Sequence, residues 1–234
     1  FVSEDKDGFT INFGKVTGKF DCSELGLKSL KGAPQIVGRN FNCNYNRFTS
    51  LEGAPREVVK DFSCYGNQLI SLKGAPQMVG GSFNCSYNQL TSLKGVPQEV
   101  GGSFYCSGNR LTSLEGAPQK VGRDFSCFEN QLTSLEGATK EVDGSFICYS
   151  NYLTSLKGAP QTVGLSFYCQ SNQLTSLEGA PKEIKGNFDC FNNQLTSLKG
   201  APQTVGRDFY CHSNPELHSL DGIGEVKGII YKDF

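Results

Sequence analysis

The protein has 234 residues, and its 22 lysines and arginines nearly balance its 23 aspartates and glutamates, which leaves a formal net charge of −1 at pH 7. This balance excludes a strong overall field that would attract nucleic acid or an anionic membrane surface. No apolar run approaches the roughly 20 residues that a membrane-spanning helix needs, so membrane insertion is not expected either.

The N-terminal segment, residues 1–19, differs from the regular sequence that follows it. Residues 9–13 read F-T-I-N-F, an alternation that predicts a strand with one apolar face. Repeat arrays need capping elements because a terminal turn has no neighbour to cover its apolar surface. We therefore assign residues 1–19 to an N-terminal cap whose strand covers the first turn.

Residues 20–220 form ten repeats of 21 residues. A cysteine recurs at this step without a slip, at Cys22, Cys43, Cys64, Cys85, Cys106, Cys127, Cys148, Cys169, Cys190 and Cys211. A phenylalanine stands two residues before each cysteine, at Phe20, Phe41, Phe62, Phe83, Phe104, Phe125, Phe146, Phe167, Phe188 and Phe209. The F-x-C alternation predicts a strand that buries both side chains on one face. Because one turn cannot enclose these side chains alone, stability must come from stacking.

An asparagine follows nine of the cysteines at a distance of three residues. These residues are Asn46, Asn67, Asn88, Asn109, Asn130, Asn151, Asn172, Asn193 and Asn214, and Leu25 takes the place in the first repeat. Each asparagine lies where the chain leaves the strand, so its amide is expected to bond to the backbone of its own bend and of the next repeat. We predict a structural role for this column rather than a ligand-binding one.

The complete unit reads F-x-C-x-x-N-x-L-T-S-L-x-G-A-P-x-x-V-G. It resembles the leucine-rich repeat family, whose L-x-L-x-x-N-x-L core is matched by F-x-C-x-x-N-x-L over about the whole chain. The G-A-P segment is most similar to the short bacterial type, and the spelling N-Q-L-T-S-L-x-G-A-P also resembles repeat proteins of tailed bacteriophages and bacteria. The resemblance implies a mainly β repeat solenoid, a curved array with one parallel sheet. Gly-Ala-Pro opposes a helix, so the convex side should be extended and helix-poor.

The ten cysteines allow three interpretations. Their even number is compatible with five disulfides, and their alignment with a column of metal ligands. However, parallel side chains at equivalent positions suit the disulfide torsion poorly, and a single file without histidine does not supply four tetrahedral zinc ligands. We therefore predict free thiols buried in the core, with no metal and no cofactor. Free thiols favour a reducing cytoplasm, and a virion is the alternative location.

A column of alternating charge runs along the return segment of the repeats. It consists of Lys31, Glu52, Lys73, Lys94, Glu115, Glu136, Lys157, Glu178 and Lys199. Opposite signs mostly adjoin, which predicts exposed ion pairs between turns that serve register and solubility rather than recognition.

The residues that follow each phenylalanine and each cysteine are expected to point away from the core. In the first four turns they are mostly serine and asparagine, whereas large apolar side chains dominate from Tyr105 onward. Because exposed aromatic side chains are enriched at interface hot spots, we predict a partner-binding patch composed of Tyr65, Tyr105, Phe128, Ile147, Tyr149, Tyr168, Phe191 and Tyr210. The alternative is that these side chains stack along the ladder for stability alone.

The last segment, residues 221–234, is predicted to be a C-terminal cap. Residues 228–231 read G-I-I-Y, which indicates a closing strand. With the N-terminal segment, it leads us to expect an array that is covered at both ends.

No residues suggest catalysis. Asp61, Asp124 and Asp208 precede phenylalanines but are separated by serines and asparagines, and the only histidines, His212 and His218, both fall in the irregular last repeat. We therefore predict a non-enzymatic recognition module that binds a protein through its exposed strand face. Two alternatives stay open: a structural component such as a bacteriophage virion or tail part or a surface adhesin, and a glycan-binding protein.

Overall fold

The computed structural model describes the backbone of residues 2–5 and 8–11 and all of residues 14–234. About ten turns of chain stack into a β-solenoid of parallel strands, and the described residues contain no helix. This confirms the predicted mainly β solenoid with a helix-poor return segment. Accordingly, the described part of the chain has no helix long and apolar enough to cross a membrane.

The repeats build two parallel sheets. The first, called here the Phe–Cys sheet, has 11 strands in sequential order. They are β3 (Phe20–Asp21), β5 (Phe41–Asn42), β7 (Phe62–Ser63), β9 (Phe83–Asn84), β11 (Phe104–Tyr105), β13 (Phe125–Ser126), β15 (Phe146–Ile147), β17 (Phe167–Tyr168), β19 (Phe188–Asp189), β21 (Phe209–Tyr210) and β23 (Ile230–Tyr231). Consecutive strands pair in register, Phe104 with Phe125 for example.

The second, the return sheet, has 10 strands. They are β4 (Ile36–Val37), β6 (Glu57–Val58), β8 (Met78–Val79), β10 (Glu99–Val100), β12 (Lys120–Val121), β14 (Glu141–Val142), β16 (Thr162–Val163), β18 (Glu183–Ile184), β20 (Thr204–Val205) and β22 (Glu225–Val226). The prediction of one parallel sheet is therefore wrong, because the repeats form two. The extended return segments of successive turns lie side by side, so their backbone groups pair as well, Val100 with Val79 for example.

The core consists of inward columns of phenylalanine, cysteine, leucine and valine. Adjacent phenylalanine rings are stacked or tilted, with centroids 5.2 Å apart for Phe104 and Phe125 and 5.5 Å for Phe167 and Phe188. All ten cysteines are free and buried, which confirms their predicted place in the core. Burial raises the pKa of the Cys22 thiol to about 12, so the thiols stay protonated. The column is inert packing rather than a reactive site.

The asparagine column ties each turn to the one before it. Asn193 donates from Nδ2 to the carbonyls of Cys169 and Cys190, both at 3.1 Å, and of Phe191 at 3.3 Å. Its Oδ1 accepts from the Leu174 amide at 3.0 Å. The structural role predicted for this column is thereby confirmed, but the bonds reach the preceding repeat and not the next one as predicted. The pattern also explains Leu25, because the first repeat has no preceding cysteine carbonyl to bond.

The glycine of each G-A-P segment is fixed by geometry. Gly158 has a φ of 86°, and a Cβ there would lie 2.6 Å from the backbone nitrogen of Glu136 in the preceding turn. Only glycine allows the left-handed conformation and this close approach together.

The two ends differ from the repeats between them. The hairpin β1 (Val2–Asp5) and β2 (Gly8–Ile11) forms an antiparallel sheet of its own. The strand predicted at 9–13 overlaps β2, and its residues 12 and 13 lie outside the described residues. At the other end, the strand predicted at 228–231 overlaps β23 at residues 230 and 231, and β23 pairs in parallel with β21 and adds one strand to the Phe–Cys sheet.

Candidate functional site on the outer face

The candidate site is the surface of the Phe–Cys sheet that faces away from the core. We call it the outer face and define it by three columns: the residue before each phenylalanine, the residue after it, and the residue after each cysteine. A fourth column, two residues after each cysteine, forms its rim. The outer face is assembled from side chains 21 residues apart in sequence, held in register by the strand pairing.

The residues predicted to bind a partner all lie on the outer face, and all of them are half-buried rather than fully exposed. Four of them stack on a neighbouring ring. Phe128 packs on Tyr149 with centroids 4.6 Å apart, Phe191 on His212 at 4.6 Å, and Tyr210 on Tyr231 at 4.4 Å. This stacking is what the stability interpretation expects, but the rings stay half-exposed.

The structure divides the predicted patch into separate groups. Phe128 and Tyr149 form one pair, and Gln170 separates them from Phe191 in the same column. In the column after the phenylalanines, Ile147 and Tyr168 are register neighbours, whereas Ser126 separates Tyr105 from them. Tyr65 lies far along the array from these groups and belongs to a different cluster, described next.

Two tyrosines of the rim, Tyr45 and Tyr87, were missed by the sequence analysis. They are among the most exposed aromatic side chains of the described chain, at 56% and 41%. Tyr65 lies between them, with ring centroids 5.2 Å from Tyr45 and 5.1 Å from Tyr87. Tyr87 also donates its hydroxyl to Oε2 of Glu129, two turns further on, at 3.2 Å. The three rings form one aromatic cluster over turns two to four.

The backbone at the rim makes these tyrosines unusual. Every rim residue is left-handed: Glu24, Tyr45, Gly66, Tyr87, Gly108, Glu129, Ser150, Ser171, Asn192 and Ser213 have φ between 51° and 65°. Glycine and asparagine adopt this conformation readily, but for a bulky residue it is strained, by roughly 1 to 2 kcal/mol. A Cβ on Gly66 would lie 2.9 Å from Cδ1 of Tyr45, and one on Gly108 would lie 2.6 Å from Cδ1 of Tyr87. Each ring thus lies across the glycine of the next turn.

The outer face is acidic although the whole chain is nearly neutral. Between residues 40 and 213, the outer face and its rim contain the carboxylates of Asp61, Asp124, Glu129, Asp189 and Asp208 and no lysine or arginine. The basic side chains lie on other columns, such as the exposed charge column, where Lys73 pairs with Glu52 at 2.8 Å and Lys199 with Glu178 at 2.8 Å. This confirms the ion pairs predicted between turns. Because these lysines pair with glutamates of their own column, they do not neutralise the carboxylates of the outer face.

Three of these acids have a structural role. Oδ1 of Asp61, Asp124 and Asp208 accepts the backbone amide of Ser82, Ser145 and Ile229 respectively, 21 residues on, at 2.8 to 2.9 Å. Serine hydroxyls do the same in other turns, as when Ser82 accepts from the amide of Ser103 at 3.1 Å. The column before the phenylalanines is therefore a second ladder of inter-turn hydrogen bonds.

Asp189 is the exception among these acids. It is only 9% exposed, its Oδ1 is buried without a hydrogen-bond partner, and its register neighbours are Tyr168 and Tyr210. Burial and the nearby carboxylate of Asp208 raise its pKa to about 6. Among the residues that the structure describes, no three His, Cys, Asp or Glu side chains are grouped to hold a metal ion.

No family model matches the chain, and comparisons with curated proteins and with solved structures give no match either.

Proposed function

We propose that the protein is a non-catalytic recognition module that binds a protein partner through the outer face of the Phe–Cys sheet. One observation carries the proposal: Tyr45 and Tyr87 occupy strained left-handed positions, stay exposed, and lie across glycines that leave room for their rings. The repeat imposes the left-handed backbone on every turn, and strained residues held in this way by the surrounding structure cluster at functional sites. Exposed tyrosines are preferred at interface hot spots because they bury a large area at a small cost in side-chain entropy.

The charge of the outer face supports a basic partner surface. With carboxylates and no lysine or arginine between residues 40 and 213, the face would attract a positively charged patch and repel the phosphates of nucleic acid. The half-buried rings of the later turns, such as Phe128 and Tyr149, extend the contact area along the array.

The repeats belong, in this proposal, to the leucine-rich type. Support comes from the asparagine column, in which each side chain bonds to its own bend and to the preceding turn. In such arrays the repeated positions build the core, so the variable positions of the strand face are free to specify a partner.

Replacing both rim tyrosines, Tyr45→Asn and Tyr87→Asn, should separate binding from stability. Asparagine suits the left-handed rim, so thermal stability should be unchanged or higher, because relief of strain offsets the lost ring contacts. Capture of the partner should fall about tenfold or more, as for the loss of two hot-spot residues. The measurement is quantitative mass spectrometry of proteins captured from the source cells, followed by a Kd for the partner so identified.

Ser171→Asn provides the matched control, since it makes the same kind of change at a left-handed rim position without removing a ring. It should leave capture unchanged. A double tyrosine variant that loses stability and still captures the partner would defeat the proposal. Replacing Tyr149, Tyr168 and Tyr210 together with serine tests the later turns in the same way. Retention of a glycan on an array, with no protein captured, would instead favour carbohydrate recognition.

A structural role is the second candidate, and the two continuous ladders favour it. The Phe–Cys and return sheets run the full length of the described repeats, and exposed ion pairs such as Lys157 with Glu136 link successive turns. Such a body would serve as a stiff spacer in a bacteriophage particle or a surface adhesin. Sedimentation distinguishes the two functions, because a spacer would co-sediment with a particle whereas a recognition module would stay with its partner.

A further inference from the structure

Asp189 makes none of the hydrogen bonds that its column makes elsewhere. Oδ1 of Asp21 and of Asn42 accepts the amide two residues on at 3.1 Å, and that of Asn84 does so at 3.0 Å. At Asp189 the equivalent bond to the Phe191 amide is absent, and Oδ1 is buried and unpaired. A buried carboxylate without a donor is costly, since hydrogen bonds and counter-charges normally repay its desolvation.

A second unpaired acceptor occupies the diagonal position in the preceding turn. Oε1 of Gln170 is the only other buried side-chain oxygen or nitrogen without a partner in the described chain. Gln170 follows the cysteine of one turn and Asp189 follows the phenylalanine of the next. At this diagonal in other turns, side chains touch: Ser63 donates to Asn44 at 2.7 Å, and the hydroxyls of Ser107 and Ser126 lie 2.9 Å apart. Two acceptors therefore occupy a place where other turns form a hydrogen bond.

Aromatic residues occupy the neighbouring positions of the sheet. Tyr168 and Tyr210 flank Asp189 in register, and Phe191 follows it on the same strand face. Tyr210 donates its hydroxyl away from Asp189, to Oδ2 of Asp208 at 3.3 Å. No ion pair involves Asp189 among the residues that the structure describes. The site formed by Asp189, Gln170, Tyr168 and Tyr210, called here the notch, thus combines negative charge, aromatic side chains and two acceptor oxygens to which no donor is bonded.

We propose that this notch, defined by Asp189, Gln170, Tyr168 and Tyr210, binds a primary ammonium group such as a lysine side chain of the partner. The inference rests on the proposed function, because it assigns the chemistry of a contact on the same outer face. An ammonium supplies several donors and a compact positive charge, and aromatic faces attract cations. A hydroxyl lacks the charge, and a divalent metal ion requires more oxygen ligands than one carboxylate and one amide. Entry requires the half-exposed tyrosine rings to swing apart, a side-chain motion that is fast on exposed surfaces.

The test uses n-butylammonium chloride as the probe, titrated into the full chain at pH 7.5 and followed by the backbone amide NMR signals. We expect saturable shifts at Tyr168, Asp189 and Tyr210, and none from n-butanol, which has the same chain without the charge. Asp189→Asn should weaken binding at least tenfold. The control is Asp21→Asn, in the same column, where the carboxylate already accepts bonds from Ser23; it should leave binding unchanged.

Three results would overturn the inference: no saturable shift at the notch, equal binding by Asp189→Asn, or the same shifts from sodium chloride at equal concentration. Failure here is distinguishable from failure of the proposed function. If the ammonium does not bind but the Tyr45 and Tyr87 variant still loses its partner, only the notch is disproved. If the ammonium binds while that variant keeps its partner, ammonium binding at the notch is supported and partner binding through Tyr45 and Tyr87 is disproved.

Discussion

Replacing Asn193 by aspartate should destabilise the solenoid by about 3 to 5 kcal/mol at neutral pH, although the two side chains have nearly the same shape. Nδ2 of Asn193 donates to three carbonyl oxygens, those of Cys169, Cys190 and Phe191. In Asn193→Asp a carboxylate oxygen would face these carbonyls instead, in a buried position where neither repulsion nor lost solvation is repaid. The expected loss exceeds that of an ordinary missing hydrogen bond, about 1 kcal/mol.

The adjacent residue supplies the control. Asn192 is exposed on the left-handed rim, and its side-chain amide bonds only to the hydroxyl of Ser171, at 3.1 Å. Asn192→Asp should therefore change stability by less than about 0.5 kcal/mol, as surface substitutions usually do. Urea unfolding of both variants, followed by circular dichroism, measures the difference. Equal losses at the two positions would show that the asparagine column does not hold the turns together.

The loss in Asn193→Asp should also depend on pH. The folded state raises the pKa of the new carboxyl, because burial and the facing carbonyls disfavour its charge. Part of the lost stability should then return as the pH falls and the group takes up a proton, since a protonated carboxyl can donate to one of the carbonyls. A loss that stays constant down to acidic pH would indicate a packing defect instead of charge repulsion.

The repeat length, the core and the asparagine ladder could be predicted because each is written at a fixed spacing. The 21-residue step of the cysteines determines the register of the whole Phe–Cys sheet, in which Phe104 faces Phe125. The return sheet could not be read in the same way. Its strands have two residues, of which one is buried, as in Glu99–Val100, so no alternation marks them. They pair only because stacking brings extended segments of successive turns together.

The rim tyrosines were missed for a conformational reason. We assumed that the outward positions are those of a regular strand, whereas the chain turns into the left-handed region two residues after each cysteine. That turn places Tyr45 and Tyr87 at the exposed rim. A sequence signal was present: this column reads Tyr45, Gly66, Tyr87, Gly108, and an alternation of tyrosine with glycine at one repeat position indicates rings that need space in the next turn.

Asp189 could not be recognised from the sequence, because Asp21 and Asn42 occupy the same column with ordinary hydrogen bonds. Its environment depends on the rings of Tyr168 and Tyr210 in the neighbouring turns. We expect Asp189→Asn to raise the stability of the unliganded protein by about 2 kcal/mol above pH 7, allowing for partial solvent screening. Asparagine already stands at this column position in other turns and carries no charge to desolvate.

The sign follows from the direction of the pKa shift. Burial, reinforced by the Asp208 carboxylate, raises the pKa of Asp189 from 3.8 to about 6, so the folded state binds this proton more tightly than the unfolded state does. The contribution of Asp189 to the stability of the natural protein should be greatest below about pH 4 and should fall as the pH rises through about 6. The advantage of Asp189→Asn should therefore be full above pH 7 and disappear near pH 4, in unfolding curves measured across this range.

Asp21→Asn should show the opposite sign. Hydrogen bonds from Ser23 lower the pKa of Asp21, so its carboxylate contributes stability that is present above about pH 4 and lost as the pH falls further. The substitution should therefore reduce stability at neutral pH and become neutral in acid. If both aspartates of this column responded to pH alike, the exceptional burial of Asp189 would not be the cause, because the two sites share backbone geometry and differ in the donors and rings around the carboxylate.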